Sequence, residues 1–520
     1  MFQARSNRDL RSCAAQSQSQ RPAIRQSGFI RKAAVSCVVA CLGMQPIWAG
    51  AETLDPTGRT LRPGDKSVEA VVRTDERYGA DGLFQGPRGW GYWNYLSDPR
   101  PIQNPNLWPD MHSTYFIARF ELPAGARMVM KQGFPHTRYF QFALYVSENN
   151  TFVSNGETIT GPGIQPDPGA VNPYVAGNRR DSDNRDFTLT ILAEDPPADP
   201  SQRVANTLYA GAAGGVLQGV LRLYVSDAGW DGAGWGPNDR AQTRSGFPRL
   251  SGQLADGTTL DHAAVVKTFA RPFEGELTKP LTDKQWIGMV NSPKNDPTLD
   301  PATAPARPGG KWEKYWTFGY SVAGAFKTPE ERAKIPWAAA IDGGGDPNTQ
   351  YMLAHLNRKF GPVYVLKGRK PSFPDTYAGA DGTPLAVMPA AQVQYFSIVS
   401  AEAAPSGRIV DGLMDMQIPV DANGDYTIVY SRREDRPSNA TPENGVAWLE
   451  WSPLGEGLDD PQNRPDFGML MIRMMLPATG WADSPANITE PGTAEAVMGA
   501  YYPRGEYMTK AAFEALGDLK

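Results

Sequence analysis

Cysteine is nearly missing. The chain of 520 residues has three, Cys13, Cys37 and Cys41, and all fall within its first 51 positions. If that stretch is cleaved on export, the remainder has no thiol, which excludes disulfides, thiolate nucleophiles and cysteine-type zinc sites. Histidine is scarce too, with four residues (His112, His136, His262 and His355) and no His-x-His or Glu-x-x-His spacing. No metal is therefore expected. Beyond the first 51 residues there is no apolar run of the roughly 18 residues a membrane helix needs. A basic stripe is also lacking, with 51 basic against 56 acidic residues and a net charge of −5, so nucleic acid is not an expected partner. Gly343-Gly344-Gly345-Asp346 is followed by neither Lys-Ser/Thr nor a helical pattern, so it is no phosphate loop. No redox cofactor motif occurs, and no cofactor is expected.

The start of the chain has the form of an export signal. A polar, basic stretch ends in Arg31-Lys32, and a short apolar segment from Ala33 to Met44 follows, then Ala49-Gly50-Ala51. A positive flank, an apolar core and a small-x-small site read as a signal peptide over 1–51, and predict a periplasmic or secreted protein. Val38-Val39-Ala40-Cys41 offers a rival, a lipid anchor on Cys41. The leader holds seven basic residues and one acidic, so the mature chain carries 44 basic against 55 acidic, a net of −11. Such a surface suits a soluble protein and disfavours anionic polymers.

Gly and Pro are abundant, at 53 and 46. They punctuate short alternating runs, the pattern of strands bounded by turns. Tyr115–Phe120, Tyr139–Tyr145, Phe187–Ile191 and Gly219–Val225 are four; Val363–Leu366, Val393–Val399, Tyr426–Tyr430 and Leu470–Met474 are four more. Helices are few. Thr328-Pro329-Glu330-Glu331 makes a capping box with Pro at the first helical position, and short helices are predicted over Thr493–Tyr501 and Thr509–Leu516.

The chain also repeats itself in order. Tyr115-x-x-Ala118 matches Tyr351-x-x-Ala354, and Lys131-x-Gly133-x-Pro135 resembles Lys367-Gly368-x-x-Pro371. Arg138-Tyr139-Phe140 matches Gln394-Tyr395-Phe396, and Asp186-Phe187-Thr188 matches Asp425-Tyr426-Thr427. Arg222 and Arg473 each interrupt an apolar strand. The reading is mainly β: two tandem jelly-roll-like β-sandwich domains with a few short helices. Residues 52–109 form an N-terminal segment packing on the first domain, 110–290 the first sandwich, and 291–310 a linker. Residues 311–487 form the second sandwich, and 488–520 a C-terminal helical tail. On these aromatic motifs, with Trp448-Leu449-Glu450-Trp451-Ser452-Pro453 ahead of the last strand, the chain resembles the bacterial extracytoplasmic domain of unknown function 1214 family. The resemblance covers about 110–240 and 346–477. It implies tandem sandwiches and brings no established catalytic residue.

The repeat also sorts candidate sites. Pairs shared by both halves read as structural, because two domains rarely keep one active site. Residues read as present in one half only are Asp110, His112, His136 and Arg138. If Phe140, Phe142 and Leu144 face the core, Arg138 and His136 share their face at one end of the strand. The functional reading is a pocket mouth where Arg138 binds a carboxylate while His136, His112 and Asp110 handle protons. The opposing reading pairs Arg138 with a nearby carboxylate and leaves His136 capping a turn. Trp93 and Trp235 could stack on a sugar ring or aromatic ligand, or simply pack between the sandwiches. Gly319-Tyr320-Ser321-Val322-Ala323 nearly fits a nucleophile elbow, but no βαβ rhythm surrounds it, and Ser321 is expected in a strand. The expected function is binding of an external small molecule or glycan, with cofactor-free hydrolysis, elimination or isomerisation if it is an enzyme. The alternative is a non-catalytic surface or assembly protein using its sandwiches as protein-binding faces.

Overall fold

The computed structural model describes residues 53–54, 60–61, 93–95, 108, 110, 112–148, 151–227, 248–271, 311–338, 345–377, 385–402, 409–452 and 467–519. Residues 1–51, read as an export signal, residues 291–310, read as a linker, Trp235 and the side chain of Trp93 lie outside the described residues. Thr53–Leu54 (β1) and Thr60–Leu61 (β2) pair with each other. The strands of the first half are Trp93–Tyr95 (β3), Ser113–Pro123 (β4), Arg127–Gly133 (β5), Thr137–Glu148 (β6) and Thr151–Thr160 (β7). Asp186–Leu192 (β8), Thr207–Tyr209 (β9), Gly214–Ser226 (β10), Arg249–Gln253 (β11) and Thr259–Leu260 (β12) complete it. The second half holds Glu313–Lys314 (β13), Thr349–Asn357 (β14), Val363–Arg369 (β15), Tyr395–Ala401 (β16) and Ile409–Met414 (β17). Asp425–Ser431 (β18), Val446–Glu450 (β19), Phe467–Met475 (β20) and Arg504–Met508 (β21) follow.

Each half makes two sheets and one sandwich-like body. One sheet runs β3-β4-β10-β6-β7 in the first half and β13-β14-β20-β16-β17 in the second. The opposing sheets run β12-β11-β5-β8-β9 and β21-β15-β18-β19. Strand for strand, β3 to β11 correspond to β13 to β21. Even the exceptional parallel pairs coincide, β8 with β9 and β18 with β19. The fold is mainly β with few short helices, and the internal duplication is a property of the topology.

Burial follows from which face of each sheet is covered. Strand β8 alternates, with Phe187, Leu189 and Ile191 buried and its other face half-exposed. Such alternation marks a sheet with one face on a core and one toward water. Strands β16 and β20 are buried at every residue, because their sheet is covered on both faces. One face meets its own sandwich core, through Phe396, Ile398, Leu470, Ile472 and Met474. The other meets the first body, where Tyr139, Tyr224 and Val225 pack with Tyr395, Met414 and Met475. The first body repeats this arrangement, with Phe140, Phe142 and Leu144 in its own core. A seam therefore runs between the two bodies, and polar residues on the outward positions of β6, β10, β16 and β20 are trapped in it.

All eight strand segments read from alternation lie in strands, with Val393 and Gln394 just ahead of β16. The C-terminal stretch differs from a helical tail. Helices Ala494–Met498 and Lys510–Glu514 flank β21, which pairs with β15, and Ala494, Met498 and Tyr502 join the second core. The signal was missed because Arg504-Gly505-Glu506-Tyr507-Met508 is polar and half-exposed, as an edge strand is. Ser321 sits in helix Phe318–Ser321 rather than a strand.

Candidate functional site

Four of the sequence candidates gather at the end of β10. The Val225 N–H donates to the His112 carbonyl at 3.2 Å, and the Asp227 N–H to the His136 carbonyl at 2.9 Å. The side chains then part company. Asp110 faces the seam, His136 faces a charged cluster beside it, and Arg138 crosses to the second body.

Asp110 is fully buried and belongs to a motif that occurs twice. Its carboxylate accepts from the His112 N–H at 2.8 Å, and at Asp346 the same turn is made by the Asn348 N–H at 2.9 Å. Asp110-x-His112-Ser113-x-Tyr115 and Asp346-x-Asn348-Thr349-x-Tyr351 have one spacing. Asp110 is thus not confined to one half; the sequence reading matched the two tyrosines and stopped short of the carboxylates five residues upstream. Each carboxylate reaches into the other body. Asp110 accepts from Tyr395 Oη at 2.8 Å and Ser397 Oγ at 2.6 Å. Asp346 accepts from Tyr139 Oη at 3.0 Å and Gln141 Nε2 at 2.7 Å. Tyr139 with Gln141, and Tyr395 with Ser397, are equivalent positions on β6 and β16.

A buried arginine completes each set. Arg222 stands opposite Tyr115 across β4 and β10, and Arg473 opposite Tyr351 across β14 and β20. Each guanidinium lies over its tyrosine ring, at 5.9 Å and 5.8 Å. Ser397 is short, so Arg473 reaches Asp110 itself at 3.4 Å and also donates to the Trp108 carbonyl. Gln141 is long and comes between: Arg222 donates to its Oε1 at 3.1 Å, and its Nε2 passes the contact on to Asp346. Burial alone would raise the Asp110 carboxyl, but bonding with His112 and the Arg473 charge hold it well below the carboxylate range. Burial, reinforced by the carboxylate each one touches, pushes the Tyr139 and Tyr395 hydroxyls well above theirs. The seam is a network of satisfied, fixed charges, arranged with a pseudo-two-fold repeat.

Arg138 is completely buried. Its guanidinium donates to Asp415 at 2.5 Å, its Nη2 touches Met416 Sδ at 2.9 Å, and the Phe373 ring lies 5.2 Å away. Gln394 of the second body donates to its carbonyl at 2.8 Å. Its charge is taken up within the protein.

His136 is different. Its side chain keeps 17% exposure, and Nδ1 lies 3.8 Å from Asp227. Arg185 Nη1 stands 2.6 Å from Nε2, and Arg180 pairs with the same Asp227 at 2.7 Å. Burial lowers the imidazole pKa below 6.5; bonding to Asp227 opposes this, and the Arg185 and Arg180 charges add to the lowering. Burial also brings the Arg185 guanidinium down to about 10. Burial first, and the two guanidiniums with it, favour the neutral ring, while Asp183 as well as Asp227 acts on Arg185. Sequence reading missed Arg180, Arg185 and Asp227, which lie in or beside loops without periodicity. The Asp227 backbone leads directly into the Gly- and Trp-rich stretch holding Trp230 and Trp235.

Among the described residues no group of three or more His, Cys, Asp or Glu side chains is placed to hold a metal. No described helix is long and apolar enough to cross a membrane.

No family model matches the chain, and no curated protein matches it. Among solved structures it is similar to an uncharacterized protein from Burkholderia cenocepacia, with 12% identity over 88% of this chain and 91% of that one, at a TM-score of 0.36. An anti-sigma factor domain-containing protein is matched at 6% identity over 74% and 81%, with a TM-score of 0.16. Procruciferin, an 11S globulin from Brassica napus, follows at 10% identity over 74% and 84%, with a TM-score of 0.15. At TM-scores this low the matches say nothing about activity.

Proposed function

We propose that the protein is an exported member of the domain of unknown function 1214 group that binds a small anionic molecule and processes it by cofactor-free acid–base chemistry. The observation that carries this is the His136 cluster. A general base must be neutral at working pH and within reach of solvent; the lowered imidazole pKa of His136 and its 17% side-chain exposure support both. Asp227 orients the ring and can stabilise the imidazolium once a proton is taken. Arg185, buried and donating to the Pro135 and Arg180 carbonyls, is the guanidinium assigned to a carboxylate, which it can meet in bidentate fashion. Engaging the ligand there would draw Arg185 off the imidazole and free Nε2 to accept a proton. In this reading Arg138 stays with Asp415, and Asp110 and His112 hold the seam beside the site.

The test is thermal unfolding of the full chain against uronic-acid oligomers, neutral oligosaccharides and aromatic acids. A ligand of the native state at a hundredfold excess over its dissociation constant stabilises by about 2.7 kcal/mol. Stabilisation by one anionic class, lost in both Arg185→Ala and His136→Gln, is expected. Stabilisation that survives both substitutions overturns the site. A flat panel favours the second reading, a non-catalytic assembly protein.

A further inference from the structure

The connection from β7 to β8 runs over 161–185, whereas its counterpart between β17 and β18 spans only 415–424. The longer connection carries Asn172, Tyr174, Arg180 and Arg185. We infer that Tyr174 is a positioning residue for His136: its hydroxyl fixes the backbone on both sides of the imidazole. The inference rests on the proposed role of His136 and extends it to a residue buried away from solvent.

Local bonds build the arrangement from the end of β7. Asn172, itself buried, donates its amide to the Gly161 and Ile164 carbonyls at 2.8 and 2.7 Å. Its Oδ1 accepts from the Tyr174 N–H at 2.8 Å. The tyrosine ring then enters the first core, 5.8 Å from the Phe134 ring and 6.3 Å from that of Phe140. Gly161 lies so near that an added Cβ would sit 2.7 Å from Tyr174 Cγ, and this close approach requires glycine. The hydroxyl donates to the Pro135 carbonyl at 2.9 Å and stands 2.7 Å from Thr137 Oγ1. His136 is the residue between.

Each carbonyl of this tripeptide is engaged. Pro135 also accepts from Arg185 Nη2 at 3.2 Å, His136 from the Asp227 N–H at 2.9 Å, and Thr137 from Arg180 Nη2 at 3.3 Å. Tyr174 and Arg185 thus share one acceptor, and Nη1 of the same guanidinium lies 2.6 Å from His136 Nε2. The hydroxyl therefore bears on the imidazole and on the cation beside it. Burial pushes the Tyr174 pKa up, so the hydroxyl keeps its proton over the range in which an imidazole titrates. Without it, Pro135 and Thr137 are free to shift, which lets the ring move toward water and away from Arg185. Both movements favour the imidazolium.

The experiment is titration of the histidines in the full chain by NMR of isotope-labelled imidazole, with His136→Gln assigning the His136 signal. The charges that act on His136 are Asp227, Arg185 and Arg180, and Asp183 acts on Arg185; the variants below change none of them. Tyr174→Phe keeps the ring in the core and removes only the hydroxyl. It should raise the His136 midpoint by about half a pH unit or more, toward the 6.5 of a free imidazole, with His112, His262 and His355 unmoved. Thr137→Val removes the Thr137 contact alone and should shift the midpoint the same way by less. It also keeps the inference testable should Tyr174→Phe fail to fold. A His136 midpoint unchanged in both variants overturns the inference. So does an equal shift of all the histidines, which would mark general loosening. No ligand enters the measurement, so the shift appears or fails whatever the cluster binds, and the ligand panel judges the base reading separately.

Discussion

Replacing Asp110 by Asn separates a structural carboxylate from a catalytic one. Asn keeps the shape and one acceptor oxygen, but its NH2 group replaces an oxygen that accepts two bonds, either Oδ1 from the His112 N–H and Tyr395 or Oδ2 from Ser397 and Arg473. The Arg473 guanidinium, 3% exposed, loses its one direct carboxylate partner among the described residues. Breaking a buried pair by removing one member costs about 3–5 kcal/mol, because the remaining charge is left uncompensated. Asp346→Asn should cost less, about 2–3 kcal/mol on the same basis, since Gln141 stands between Arg222 and that carboxylate. Urea denaturation of the full chain followed by tryptophan fluorescence reads both. One transition should report both bodies, as the seam joins them. The sign of the pH dependence is fixed as well. The folded Asp110 carboxyl titrates below its unfolded value of 3.8, so its contribution is complete above that pH and is lost as pH falls through the folded value. Asp110→Asn should therefore flatten the acid limb of stability. A variant within about 0.5 kcal/mol of the parent, the range of ordinary surface changes, would refute the seam as a counter-charge network.

Two further outcomes follow from other parts of the fold. Burial pushes the Asp411 carboxyl up to about 7, against opposing bonds from the Glu450 and Gly412 N–H groups. Its ionised form is disfavoured in the fold, so stability should fall as pH rises from about 4 to about 7; a curve of equal slope in Asp411→Asn would refute this. At Gly468 an added Cβ would sit 2.6 Å from both Trp451 Nε1 and Tyr430 Oη, whose rings stack at 4.3 Å. Gly468→Ala should cost about 1–3 kcal/mol as overpacking, measured by the same denaturation, and an unchanged midpoint would show that the stack can yield.

Much of the fold was legible because burial writes itself into alternation. Strand β8 could be read outright, since one face meets the core and the other water. The duplication was legible too, through tyrosines and arginines that recur in register. What alternation hides is the second covered face. In β10, Arg222 stands among buried residues, and no local signal says that the polar positions of the strand look toward another sandwich. Edge strands such as β21 were lost for the opposite reason, as they have too little burial to leave a pattern. The cluster around His136 was only half legible. Its histidine was visible beside a strand, but Arg180, Arg185 and Asp227 converge on it from separate turns, and only three-dimensional closure brings them together.

Asp110 has a counterpart in the second half, and the reason it escaped the comparison of the halves is chemical. A repeat compared by its most conspicuous residues finds Tyr115 and Tyr351 and overlooks what lies upstream. Yet the turn needs the carboxylate as much as the strand needs the ring, for Asp110 and Asp346 each accept the N–H two residues on. The divergence of the halves then becomes informative. His112 stands where Asn348 stands, and Gln141 where Ser397 stands. The second exchange decides whether arginine and aspartate meet directly or through an amide, and so makes one side of the seam tighter than the other. Around His136 the halves diverge completely: the alignment on Lys131 and Pro135 puts Ser372 opposite it. Residues that recur hold the two bodies together. Under the proposed function, the residues that diverge around His136 are the ones a ligand would meet.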